Sequence, residues 1–121
     1  MDLEQEKLLD WVLVALFPDP EEREKGRKLL EGYGAEEFHR EASRVRVAVL
    51  KLAGRDLERI EYYTGHACID YRDVLAMAEY PEQLRHSFPE KTDPEGYARI
   101  MENDRRQYEM WIEQVLKGGR G

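Results

Sequence analysis

Apolar residues recur at helical spacing along most of the chain. Leu9, Val12, Leu13 and Leu16 fall on one side of a helix over residues 3–17, and Pro18 stops it. The valines and aromatics here would also suit a buried strand, but the strong helix formers of the lead-in, Glu4-Gln5-Glu6-Lys7-Leu8-Leu9, decide for helix. Trp11 to Phe17 is apolar all round, so this half is either wrapped by other helices or pressed against a partner subunit. Burial within one subunit is the default. Trp11 and Phe17 are the side chains a partner would meet.

Asp19-Pro20-Glu21-Glu22 is a start signal. Asp19 caps, Pro20 sits in the first turn where no N–H is needed, and Glu22 follows the cap by three. This second helix runs to about Glu31 and ends at Gly32 or Gly34; with only Leu29 and Leu30 firmly apolar it is peripheral. From Ala35 a helical stretch leads into Arg44-Val45-Arg46-Val47-Ala48-Val49-Leu50-Lys51-Leu52, where alternation mimics a strand. Val45, Ala48, Val49 and Leu52 also share one helical face, Gly54 suits a helix end, and no partner strand is visible, so helix is the expectation.

Asp56 caps a helix whose stripe is Leu57, Ile60, Thr64, Ala67, Cys68 and Tyr71, with Gly65 weakening it. At Asp70 the helix either continues or breaks and restarts; Asp70 with Asp73 imitates a capping box and favours a restart. Tyr71, Val74, Leu75 and Ala78 then form the buried face, and Tyr80-Pro81 ends it. Residues 82–92, with His86, Phe88 and Pro89, read as a turn-rich connector. Asp93-Pro94-Glu95 opens a last helix with Tyr97, Ile100, Met101, Tyr108, Trp111 and Val115 on one side. Gly118-Gly119 stops it, and residues 117–121 read as a disordered tail. There is no internal repeat, sustained heptad seam or low-complexity run. The pattern predicts one all-α domain over residues 1–121, an irregular bundle of five to six helices.

The segment Arg44 to Pro81 carries Leu50-Lys51-Leu52, Asp56-Leu57-Glu58 and Asp70-Tyr71-Arg72-Asp73-Val74-Leu75, followed by Ala78-Glu79-Tyr80-Pro81. It resembles a group of short uncharacterised bacterial proteins with a DYRDVLxxAEYP-like segment. The resemblance covers about a third of the chain and implies no activity, ligand or partner. Ala42 stands where that group has a proline, which leaves the start of the third helix open.

Composition narrows the function classes. Among 121 residues, 26 acids outnumber 19 bases for a net charge of −7, against a broad phosphate-binding surface. A local excess remains from Arg40 to Arg59, where Arg40, Arg44, Arg46, Lys51, Arg55 and Arg59 face Glu41, Asp56 and Glu58. Weak nucleic-acid binding there competes with the plainer reading of a solvated helix face. Cys68 is the single cysteine, which excludes an intrachain disulfide and points to a reducing interior. Met1-Asp2-Leu3-Glu4 is acidic where a signal peptide is basic, and the longest apolar run has seven residues, so the expectation is cytoplasmic, with no membrane span. Two Ser, two Thr and one Asn beside 37% charged residues point to a thermophilic source.

Candidate chemistry gathers around the fourth helix. In an unbroken helix His66, Asp70 and Asp73 share a face, a spacing that suits a divalent metal or an imidazole oriented by a carboxylate. If Asp70 caps a new helix, its oxygens go to backbone N–H groups instead, and no metal is expected. Arg59 and His66 match the loose Arg-x6-His spacing of HEPN-type helical ribonucleases, in which His would act as general base and Arg would stabilise the phosphate. Such a pair is also common by chance in an Arg-rich chain. Arg72 with Glu79, or with a carboxylate on another helix, reads as an ion pair beside Tyr71 and Tyr80, whose hydroxyls stay bonded. Tyr62, His66 and Ile69 read as an exposed aromatic patch for a partner or as a crowded core edge. Cys68 reads as a small buried hydrophobe, and His39 and His86 lack neighbours that would make a site. Phosphate loops, nucleophile elbows, zinc-ligand pairs and dinucleotide fingerprints are absent, and no cofactor is expected. The sequence therefore points first to a non-catalytic helical protein acting through protein contact, as a homodimer or accessory subunit. The alternative is a metal-assisted or general acid–base hydrolase using His66, Asp70, Asp73 and Glu79, and nucleic-acid binding comes third.

Overall fold

Aspartates open three of the helical segments as their chemistry requires. Asp19 Oδ2 accepts from the Glu22 N–H at 3.2 Å. Asp56 Oδ1 accepts from the N–H groups of Glu58 and Arg59, and Asp70 Oδ1 from that of Arg72 at 3.1 Å. A computed structural model describes residues 3–37, 39–86 and 94–118. Among them are six helices and no strand: α1 (Leu3–Leu16), α2 (Pro20–Leu30), α3 (Ala42–Ala53), α4 (Leu57–Glu79), α5 (Pro81–His86) and α6 (Pro94–Gly118). The chain is an all-α bundle. The expected Asp93 cap lies outside the described residues, as does most of the 82–92 connector; its first part is helix α5. Helix α6 includes Lys117 and Gly118, the first two residues of the expected tail, and the rest of that tail lies outside the described residues.

Helix α3 is deeply buried, packed most extensively by α4 and also by α1. Val45, Val47, Ala48, Val49 and Leu50 are all buried, which is more than one face, while Leu52, expected inside, is half-buried. The strand-like alternation has a physical cause. Core lies on two sides of α3, and the intervening Arg44, Arg46 and Lys51 run their stems past it to place charged heads at the edge. Gly54, at φ +63°, ends the helix in a conformation that costs other residues.

The expected helical lead-in from Ala35 is a loop instead, held by side chains. Tyr33 is buried, donates its hydroxyl proton to the Arg40 carbonyl at 2.8 Å, and stacks on His39 with ring centroids 4.4 Å apart. His39 Nδ1 accepts the N–H groups of Gly34 and Glu36. Arg46 Nε donates to the carbonyls of Leu30 and Tyr33, closing the end of α2. At Gly34 (φ +105°) an added Cβ would sit 2.6 Å from the Arg46 guanidinium.

Helix α6 locks the junction between α4 and α5. Asp104, one turn after the buried Ile100, is 1% exposed, and its two oxygens accept the N–H groups of Glu82 (2.9 Å) and Gln83 (3.2 Å). Gln107 donates its amide to the Ala78 carbonyl at 3.1 Å. One turn of α6 thus satisfies both the end of one helix and the start of the next.

Candidate functional site

Helix α4 is two helices joined at Asp70, whose φ −154°, ψ 97° is extended backbone. With Asp70 Oδ1 held by the N–H and Nε of Arg72, the carboxylate is committed to the restart. Arg72 therefore pairs with Asp70, and not with Glu79 or a carboxylate on another helix, the partners expected for it. His66 and Asp73 do come together, Nε2 to Oδ2 at 3.6 Å, on an open surface. Glu79 has a different partner: it accepts Nε of Arg44 at 2.9 Å and Nη2 as well. Glu41 holds the same guanidinium, and the Tyr80 hydroxyl accepts from it at 3.1 Å. The Glu79 and Glu41 carboxylates push the Arg44 pKa up and keep it charged. The four residues of the hydrolase reading thus do not converge. Among the described residues no group of three or more His, Cys, Asp or Glu is placed to hold a metal ion.

Among the predicted partner contacts, Trp11 is 57% exposed on α1, next to exposed Val14, and Tyr62 is 65% exposed on α4. Phe17 corrects the expectation. It is 1% exposed, packed over buried Gly26 of α2, because Pro18 turns the chain there and folds the ring under. Cys68 is a second correction: it is exposed, with its thiol donating to the Gly32 carbonyl at 3.4 Å. Tyr62 meets Tyr63 edge-on at 5.1 Å and His66 at 6.3 Å, and Ile69 stands 87% exposed. Arg59 lies over the Tyr63 ring at 6.0 Å while His66 turns to Asp73, so the Arg-x6-His pair has separate partners.

The basic stretch presents only part of its charge to the surface, because Arg44, Arg46 and Lys51 are half-buried. Arg44 and Arg46 are spent on internal bonds, and burial pushes the Arg46 and Lys51 pKa values down, opposed for Lys51 by the Asp104 charge. Arg40, Arg55 and Arg59 alone of the six remain on the surface.

Sequence reasoning missed a cleft of about 560 Å³ between α6 and the α4–α5 junction, lined by Glu79, Tyr80, Gln83, Met101, Arg105 and Tyr108, among others. That is a usual size for a ligand pocket. Met101, expected in the core, opens into it and is exposed. Every carboxylate on its walls has a cation: Glu79 has Arg44, while Glu102 and Glu109 share Arg105. Burial pushes the Tyr108 pKa up to about 12, helped by the Glu79 charge, and its hydroxyl has no hydrogen-bond partner among the described residues. The carboxylates on these walls are thus ion-paired, and much of the remaining lining is apolar. No helix among the described residues is long and apolar enough to cross a membrane. Comparison with known protein families, curated proteins and solved structures finds no match, so the fold and its surfaces stand alone as the guide to function.

Proposed function

We propose that this chain is a non-catalytic helical interaction module that works as a homodimer. The observation that carries the reading is that large apolar side chains are left outside a closed core, among them Trp11 and Val14 on α1 and Tyr62 and Ile69 on α4. Buried aromatic anchors supply much of the free energy in protein interfaces, and Trp and Tyr are prominent among them. The competing hydrolase needs His66, Asp70, Asp73 and Glu79 in one pocket; His66 and Asp73 meet on an open surface, while Asp70 accepts the Arg72 N–H and Glu79 accepts Arg44. Nucleic-acid binding keeps only part of its charge. The lone exposed Cys68 fits a reducing compartment such as the cytoplasm, and the charge-rich, amide-poor composition fits a thermophilic source. Sedimentation equilibrium over a wide concentration range tests the reading. A mass of twice the chain, dissociating on dilution, supports it; a strict monomer at every concentration refutes it.

A further inference from the structure

We propose that a small pocket between α1, α2 and Arg46 of α3 binds a short-chain monocarboxylate through the Arg46 guanidinium. The pocket holds about 220 Å³ and is lined by Leu9, Leu13, Arg27, Leu30, Glu31 and Arg46. Its floor is the core itself, since Leu9, Leu13 and Leu30 are all buried. Of the charged residues on its walls, Arg27 and Arg46 are half-buried and Glu31 is exposed. The site does not depend on how copies of the chain associate.

The internal bonds of Arg46 use its Nε alone, which donates to the carbonyls of Leu30 and Tyr33 at 3.2 and 2.9 Å. Among the described residues neither Nη has a hydrogen-bond partner, and no carboxylate pairs with the guanidinium. Arg44, in the same helix, shows the contrast, because Glu79 and Glu41 both hold it. Burial pushes the Arg46 pKa down, and the charge of Glu31 alone opposes that shift. A cation drawn part-way out of water costs free energy until a counter-charge meets it. The carbonyl bonds explain why an arginine stands here; they leave its two Nη groups over. Such a planar fork matches the two oxygens of a carboxylate. Arg27 lines the same pocket, and its bond to the exposed Asp10 is a long 3.4 Å.

The rest of the wall selects among anions. A doubly charged phosphate would stand against Glu31 and Asp10 in a chain of net charge −7. The leucines offer nothing to an inorganic anion, but they give an alkyl tail a place out of water. The volume lies below the range usual for drug-sized ligands, so that tail is a few carbons long.

Titration of isotope-labelled protein with sodium butyrate, followed by NMR at ionic strength held constant with sodium chloride, tests the site. Saturable shifts are expected at the Arg46 Nε–H and at the backbone amides of Leu30, Glu31 and Tyr33, with a Kd of about millimolar for so small a ligand. Glu31→Gln removes the competing charge and should tighten binding about threefold, and Arg27→Gln should weaken it about as much. Neither change touches the Nε bonds, so both variants should keep the wild-type circular dichroism. Arg46→Lys lacks the fork and should lose saturable binding; if that variant does not fold, the other two decide. Equal affinity for butan-1-ol overturns the role of charge, and equal affinity for inorganic phosphate overturns the alkyl tail. Butyrate shifts that fail to saturate at tens of millimolar, or an affinity that ignores both Glu31→Gln and Arg27→Gln, overturn the site.

Discussion

Asp104→Ala removes the side chain that α6 lends to the start of α5. The carboxylate is 1% exposed and accepts two backbone N–H bonds, at 2.9 and 3.2 Å. Bonds to a charged acceptor contribute about 1.5–3 kcal/mol each. The substitution also relieves the desolvation of the buried carboxylate, and water reaches part of the freed backbone. The net loss is therefore expected near 3 kcal/mol, somewhat above the roughly 0.5–2 kcal/mol typical of a helix cap. For a domain of this length the midpoint should drop by about 10 °C. Asp104→Asn keeps one acceptor oxygen and should lose about half as much. Urea denaturation supplies the free energy, and hydrogen exchange supplies the location: Glu82 and Gln83 amides should lose protection first. An Asp104→Ala variant within about 0.5 kcal/mol of wild type, with those amides still protected, would refute the cross-helix cap.

Arg44→Ala strands Glu79, which is only 11% exposed, and should cost about 2–3 kcal/mol in urea denaturation; a change below ~0.5 would mean the pair is idle. Tyr108→Phe removes a hydroxyl with no bonding partner among the described residues, so it should be neutral or stabilising by up to about 1 kcal/mol, and a clear loss would reveal a bond not seen here. The same tyrosine sets an alkaline dependence. Between about pH 10 and 12 the unfolded chain has released this proton while the folded chain keeps it, so wild-type stability falls through that window, less steeply in Tyr108→Phe. Denaturation series at alkaline pH with equal slopes for the two proteins would contradict this. Two glycines should respond oppositely: Gly54→Ala, at φ +63°, destabilises by about 1 kcal/mol, while Gly65→Ala, with open space around it, stabilises dilute protein by about as much. Thermal melts giving both the same sign would refute the assignment.

Local chemistry was legible in the chain. Asp19, Asp56 and Asp70 each bond to backbone two or three residues ahead, so spacing alone reveals them, and Asp70 in turn rules on the catalytic candidates around it. Partnerships across the fold were not. Asp104 reads as one more surface acid until α5 is placed against it, 22 residues away, and the cleft beside it exists only once α6 crosses that junction. Helix α5 hid behind Pro81, which both stops α4 and starts the next turn. Tyr33 was passed over because a loop offers no periodicity to betray a buried ring. Phe17 deceived for a related reason: an all-round apolar run names its residues but not which of them the following turn will fold inward.

The α3–α4 pair carries a kinetic consequence. These helices are joined by a short turn at Gly54-Arg55-Asp56 and share the largest helix–helix contact in the bundle. Closing so short a connection costs little chain entropy, so this hairpin is where folding should nucleate, with α1 and α6 docking onto it later. Core truncations such as Val49→Ala would then slow refolding, whereas loss of Asp104 would chiefly hasten unfolding, a contrast that a chevron plot reads directly.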